Sequence, residues 1–145
     1  MKPIITWAIL ANSTQAHVVE NSGPGRGFAA IPGRTFRAAD PTSYSDQPGV
    51  THSPAGSARS AMDKNSPKRM AESLFARQLA EALERDHAKG RFARLILVAA
   101  PHMLGELRAA MPQALVDLIA GEVDKDLTQV PVRELPERLG HVFVA

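Results

Sequence analysis

The sequence predicts a mixed α/β domain, a five-stranded mixed sheet flanked by helices. Three observations carry this. The apolar run Leu95-Ile96-Leu97-Val98-Ala99-Ala100 stops at Pro101 and passes straight into a helix-like segment, the pattern of a strand buried on both faces and followed by a covering helix. A second apolar run, Ile4 to Ala11, meets the turn residues Asn12-Ser13-Thr14 and then another short apolar stretch, which reads as a hairpin. Between these runs, residues 66–90 place apolar side chains at helical spacing, so a helix links the hairpin to the buried strand.

Element by element, Ile4 to Ala11 is the first strand, central and buried. Asn12 to Gln15 turns the chain, and Ala16 to Glu20 returns as an antiparallel strand because so short a loop allows nothing else. Asn21 to Gly27 is a Gly/Pro turn. Phe28 to Arg37 holds a third strand, shortened or broken at Pro32-Gly33. Residues 38–67 show no sustained period and are rich in Pro, Gly, Ser and Thr, so the reading is one domain over 1–145 that contains a long irregular loop at about 38–67.

Ser66 is the expected N-cap of the long helix, with Pro67 at the first helical position. Met70, Ala71, Leu74, Phe75, Leu79, Ala82 and Leu83 are expected on its buried side, and Glu72, Arg77, Glu81, Glu84 and Arg85 on the other. Gly90 stops it, with Lys89 placed favourably at the negative end of the helix dipole. Phe92 to Ala100 is the fourth strand, His102 to Met111 a helix, and Pro112 opens a shorter one reaching about Ala120. Gly121 to Leu127 is a partly polar fifth strand, and Val132 to Leu139 a last helix. Right-handed crossover rules put the fourth strand beside the first.

Composition limits the chemistry. The 145 residues suit one core. Apolar residues are 44% but aromatics only 5%, so that core is built from Leu, Val, Ile and Ala. There is no cysteine, which excludes disulfides, thiolate catalysis and Cys-ligated zinc. The first eleven residues faintly resemble a signal peptide, but the apolar run is brief and interrupted by Pro3 and Thr6, so a first strand and a cytoplasmic chain are expected. No stretch approaches the ~20 apolar residues of a membrane span. Net charge is +2, but residues 1–70 carry eight Lys/Arg against four Asp/Glu, and residues 71–145 nine against eleven. The front half is therefore the part suited to an anionic partner.

Two motifs carry a resemblance. Pro101-His102-Met103-Leu104-Gly105-Glu106-Leu107-Arg108 after a buried strand, and Asp124-Lys125-Asp126-Leu127-Thr128 farther on, resemble the bacterial host-attachment protein family, whose members are classed as relatives of archaeal and eukaryotic peptide-chain release factors. The likeness extends over nearly the whole chain. It implies a ribonuclease-H-like sheet similar to the release-factor middle domain. It implies either a ribosome-associated role or one in attachment to host cells. The chain departs from release factors in one respect. Its loop reads Ser53-Pro54-Ala55-Gly56-Ser57-Ala58-Arg59-Ser60-Ala61-Met62, without the Gly-Gly-Gln that releases a nascent peptide. Relatives often carry Asp-Gly at the hairpin turn where this chain has Asn12-Ser13.

Candidate site residues follow. Arg59, Lys64, Lys68 and Arg69 cluster at the loop exit and helix start, where backbone N–H groups favour anions, so RNA phosphate is the expected target. His102, at a strand-to-helix junction, is a cleft candidate with Arg108, Asp124 and Asp126, since ligands gather at the carboxyl ends of parallel strands. Asp124 and Asp126 are read as a solvated strand end or as partners for Arg108. Two-metal hydrolysis needs more carboxylates than these, one of them usually on the central strand, and Ile4 to Ala11 has none. There is no Gly-x-Ser-x-Gly elbow and no phosphate loop. The expectation is therefore no catalytic set, no metal site and no cofactor. The chain is read as a non-enzymatic, ribosome- or RNA-linked accessory protein acting through residues 46–69. The alternatives are a protein-interaction module for attachment and, third, a metal-dependent hydrolase or nuclease.

Overall fold

A computed structural model describes residues 3–39 and 66–145. Arg59, Lys64 and most of the loop predicted at 38–67 lie outside the described residues.

Five strands form one sheet in the order β3-β2-β1-β4-β5: β1 is Thr6–Ala11, β2 Gln15–Asn21, β3 Ala29–Arg37, β4 Arg94–Ala99 and β5 Ile119–Val123. Strand β2 runs antiparallel to both β1 and β3, whereas β4 runs parallel to both its neighbours, β1 and β5. The helices are α1, Pro67–Ala88; α2, Pro101–Ala110; α3, Gln113–Val116; and α4, Leu135–Arg138, which continues a 3-10 turn at Val132–Glu134. This is the mixed sheet flanked by helices that the sequence predicts, in ribonuclease-H-like order, with the fourth strand beside the first.

The fully buried run of β1 serves two cores because alternate side chains point to opposite faces. Trp7, Ile9 and Ala11 pack with Leu95 and Leu97 beneath Phe75, Leu79 and Leu83 of α1 and Met103 and Leu107 of α2. Ala8 and Leu10 pack with Ile96 and Val98 against Leu127, Leu135 and Leu139. Each large apolar side chain buried this way contributes about 1.5–3 kcal/mol. Trp7 joins both kinds of bonding. Its Nε1 donates to Glu20 Oε2 at 2.9 Å and its ring stacks on Phe92 at 4.7 Å.

Helix α1 begins and ends as the sequence predicts. Ser66 Oγ accepts from the Arg69 N–H at 3.2 Å, Pro67 opens the first turn, and Gly90 leaves the helix at φ +72°. Its faces need correcting. Met70 and Leu74 are exposed at 42% and 36%, while Glu72 is buried, because the helix turns toward α2 and presents Glu72 to it. At the other end, Arg34 grips buried Asp86 with two bonds, Nε to Oδ2 at 2.7 Å and Nη2 to Oδ1 at 2.6 Å, and Arg91 Nε lies 3.6 Å away. The Arg34 hydrogen bonds hold the Asp86 carboxyl below the usual carboxylate range despite the desolvation that opposes this.

Strand β3 spans Ala29–Arg37, but its ladder to β2 is interrupted at Pro32-Gly33, where the sequence places a break. Its pairing skips from Ala30 opposite Val19 to Thr35 opposite His17, so extra residues loop out at Gly33, φ +80°. An edge strand tolerates this because Pro32 has no inner hydrogen bond to lose. Other boundaries differ from expectation. The helix expected from Pro112 to Ala120 ends at Val116, and β5 starts at Ile119 rather than Gly121, because Ile119 already pairs with Leu95 of β4. The same strand ends at Val123, not Leu127. Gly121 is needed there: a Cβ would come within 2.9 Å of Val142 Cβ, which packs over β5. No described helix is long and apolar enough to cross a membrane.

Candidate functional site at the carboxyl edge of the central strands

Helix α1 leads into the start of β4 and α2 leaves its end, so the first turns of both helices sit at the carboxyl edge of β1 and β4. In open α/β sheets that edge is where ligands bind. Four side chains meet there. His102, the second residue of α2, places Nδ1 3.2 Å from Glu72 Oε1 of α1 and Nε2 3.8 Å from Glu106 Oε2 one turn along α2. The Arg69 guanidinium of α1 contacts the same Nε2. Lys68 is exposed beside Arg69. Sequence reasoning put Arg69 with the anion-binding set and His102 with the cleft set; the fold brings the two together across 33 residues of chain. It missed Glu72 and Glu106, which complete the cluster. The i, i+4 spacing of His102 and Glu106 was a readable signal; nothing local pointed to Glu72.

A second cluster closes the hairpin turn. Asn12 Oδ1 accepts from the Thr14 and Gln15 N–H groups, each at 2.9 Å, and from the Thr14 hydroxyl at 3.0 Å. Its Nδ2 donates to Asp126 Oδ2 at 3.0 Å and Thr128 Oγ1 at 3.2 Å. Asp126 Oδ1 in turn accepts from the Thr128 N–H at 3.0 Å and hydroxyl at 2.6 Å. Partial desolvation works against the charge on Asp126, but the two bonds from Thr128 and the one from Asn12 outweigh it and lower the carboxyl's pKa. An amide at position 12 therefore matches this neighbour. It donates where a second carboxylate would repel.

The remaining cleft candidates do not converge with these. Arg108 Nε pairs with Glu122 Oε2 at 3.1 Å, not with Asp124 or Asp126. The reason is the early end of β5: Glu122 remains in the strand alongside α2, while Asp126 has turned away to Asn12. Asp124 is exposed and makes no ion pair among the described residues. Among those residues no three His, Asp or Glu side chains are placed to hold a metal ion. Burial lowers the pKa of His17, on β2, and it stands apart from both clusters. The helix-start cluster thus sets two cations, Lys68 and Arg69, beside an imidazole and two carboxylates.

Comparison with known proteins supplies the family. Among solved structures, the crystal structure of an archaeal translation termination factor, aRF1, is similar at 10% identity, with a TM-score of 0.46, over 81% of this chain and 29% of that one. This chain thus spans less than a third of that factor's length. No curated protein matches. A family model described as "Protein required for attachment to host cells" matches residues 7–139. Since that match runs from the central strand through the last helix, the chain belongs to the family of proteins required for attachment to host cells.

Proposed function

We propose that this chain is a non-enzymatic accessory factor of the cytoplasm that binds RNA on the ribosome through phosphate contacts at the start of α1. The observation that carries the reading is the meeting of Arg69 with His102 at the carboxyl edge, with Lys68 exposed alongside. Arginine and lysine recognise phosphate by charge and hydrogen bonding, and such contacts weaken in proportion to the logarithm of salt concentration. Co-sedimentation with ribosomes at low and high salt is the test. Binding at low salt that falls away at high salt supports the reading, and Lys68→Gln with Arg69→Gln weakens it further. No co-sedimentation at low salt removes it.

A second reading rests on a different observation. Met70 and Leu74 are exposed one turn apart on α1, and a pair of this kind suits a protein partner. On that reading the chain is an interaction module acting in attachment. Polar replacement of both residues then lowers adhesion of intact cells while leaving ribosome co-sedimentation unchanged. Fractionation that finds a surface-exposed pool supports it over the first reading.

A further inference from the structure

The looped-out stretch of β3 and the last turns of α1 enclose a hollow of about 280 Å³, lined by Gly33, Arg34 and Phe36 on one side and by Arg85, Asp86 and Lys89 on the other. Asp86 is buried, whereas Arg85 and Lys89 are exposed. The Asp86 carboxylate is already matched, since Arg34 bonds both of its oxygens. Arg85 and Lys89 are not matched: neither makes an ion pair among the described residues. Cations at a helix end commonly serve its last carbonyls. Here the backbone does that. The Lys89 N–H donates to the carbonyls of Arg85 and Asp86 at 3.3 and 3.2 Å, the Gly90 N–H to His87 at 2.9 Å, and the Arg91 N–H to Asp86 at 3.1 Å. Capping therefore does not account for the two side chains.

We propose that this hollow is a binding site for a small phosphate monoester, with Arg85 and Lys89 holding the phosphate and Phe36 bordering the organic part. The charges match. Three cations, Arg34, Arg85 and Lys89, against one carboxylate, Asp86, leave the lining at +2. A phosphate monoester carries about −1.5 to −2 at neutral pH, whereas a diester carries only about −1. Arginine adds a planar fork of donors that fits phosphate oxygens, and lysine a point charge. Arg34 is fixed by its two bonds to Asp86, so that wall is ordered before a ligand arrives and little is lost in ordering it. Size points the same way. Clefts for drug-sized ligands run from about 300 to 1,000 Å³, so a hollow of about 280 Å³ suits a small molecule. A polymer backbone is instead tracked by a continuous groove. The site lies at the opposite end of α1 from Lys68 and Arg69 and stands independently of the RNA reading of that pair.

The test is titration of the full chain, labelled with nitrogen-15, with phenyl phosphate, followed through the backbone amide shifts. Saturable shifts centred on Gly33, Arg34 and residues 85–89 are expected. Arg85→Gln combined with Lys89→Gln changes two exposed side chains, so the fold is kept, and affinity falls at least about tenfold. Arg77→Gln removes an exposed cation about two turns earlier on the same helix and leaves affinity unchanged. Methyl phenyl phosphate, the diester with the same ring, binds about two- to fivefold more weakly. Inorganic phosphate, which has no ring to lay against Phe36, also binds more weakly. Absence of saturation overturns the site, as does equal affinity for monoester and diester, or affinity that survives in the double variant or falls equally in Arg77→Gln. Inorganic phosphate binding as tightly as phenyl phosphate overturns the monoester assignment in favour of the free ion. Poly(U) that displaces phenyl phosphate at equal phosphate concentration overturns it in favour of a polymer.

Discussion

At its last turns α1 is fastened through Asp86, whose side chain is 6% exposed and receives two parallel bonds from Arg34. At its first turns it meets α2 through His102, 40% exposed, which lies 3.2 Å from Glu72 and 3.8 Å from Glu106 and contacts Arg69. Both clusters join elements that are distant in sequence. They differ in solvent access and in the number of bonds per partner. A desolvated, bidentate pair loses much when one member goes, since the other is left charged and unmatched. A half-exposed set can exchange partners with water or a ligand at little cost. The comparison teaches that one end of the helix is locked into the scaffold and the other is open to solvent.

The sharpest way to break the comparison is at the buried end. Asp86→Asn removes the charge that Arg34 and Arg91 share and is expected to cost about 2 kcal/mol in urea unfolding. A double-mutant cycle on Arg34 and Asp86 gives a larger coupling energy than one on Arg69 and His102. Next comes Asn12→Asp, which sets a second carboxylate against Asp126. It is expected to cost about 1 kcal/mol at neutral pH, a loss that shrinks in acid as one of the two takes up a proton. Acid titration of the unmodified chain follows. The folded-state pKa values of Asp86 and Asp126 are lowered, so the stability they contribute is fully present above the ordinary carboxylate range. It is lost as pH falls from about 4 through their lowered folded values, because the unfolded chain binds protons first. The smallest effect belongs to the exposed end. Arg69→Gln changes stability by no more than about 0.5 kcal/mol. A loss as large as that of Asp86→Asn would make this end scaffold too.

The fold was largely legible because its signals are local. The run from Leu95 to Ala100 could only be a covered strand, Asn12-Ser13-Thr14 could only turn tightly, and Ser66-Pro67 and Gly90 mark the long helix at both ends. The limits of β5 were not legible, because strand ends follow the neighbour's register and Leu95 sets that register from outside the segment. Helix periodicity ranked Met70 and Leu74 as core and Glu72 as surface. It gives the spacing of a stripe but not which stripe a second helix will cover, and α2 covers the one with Glu72. The candidate site was half visible. Arg69 and His102 each stood out from their place at a helix start, but their meeting depends on how α1 and α2 pack against each other, which no short motif encodes. Asn12 was noticed as a departure from the pattern of relatives, and its reason lies with Asp126, 114 residues away.

The looped-out residues of β3 bear on how copies of the molecule behave toward one another. An outermost strand that is straight and fully extended offers a row of free amides and carbonyls to any passing chain, and two such rows can zip together. Pro32 deletes one donor from that row, Gly33 bends it, and exposed Arg37 adds charge. This side is thereby a poor template for pairing with a second copy. Straightening the strand with Pro32→Val and Gly33→Val should bring turbidity and thioflavin-positive material at concentrations where the parent solution stays clear.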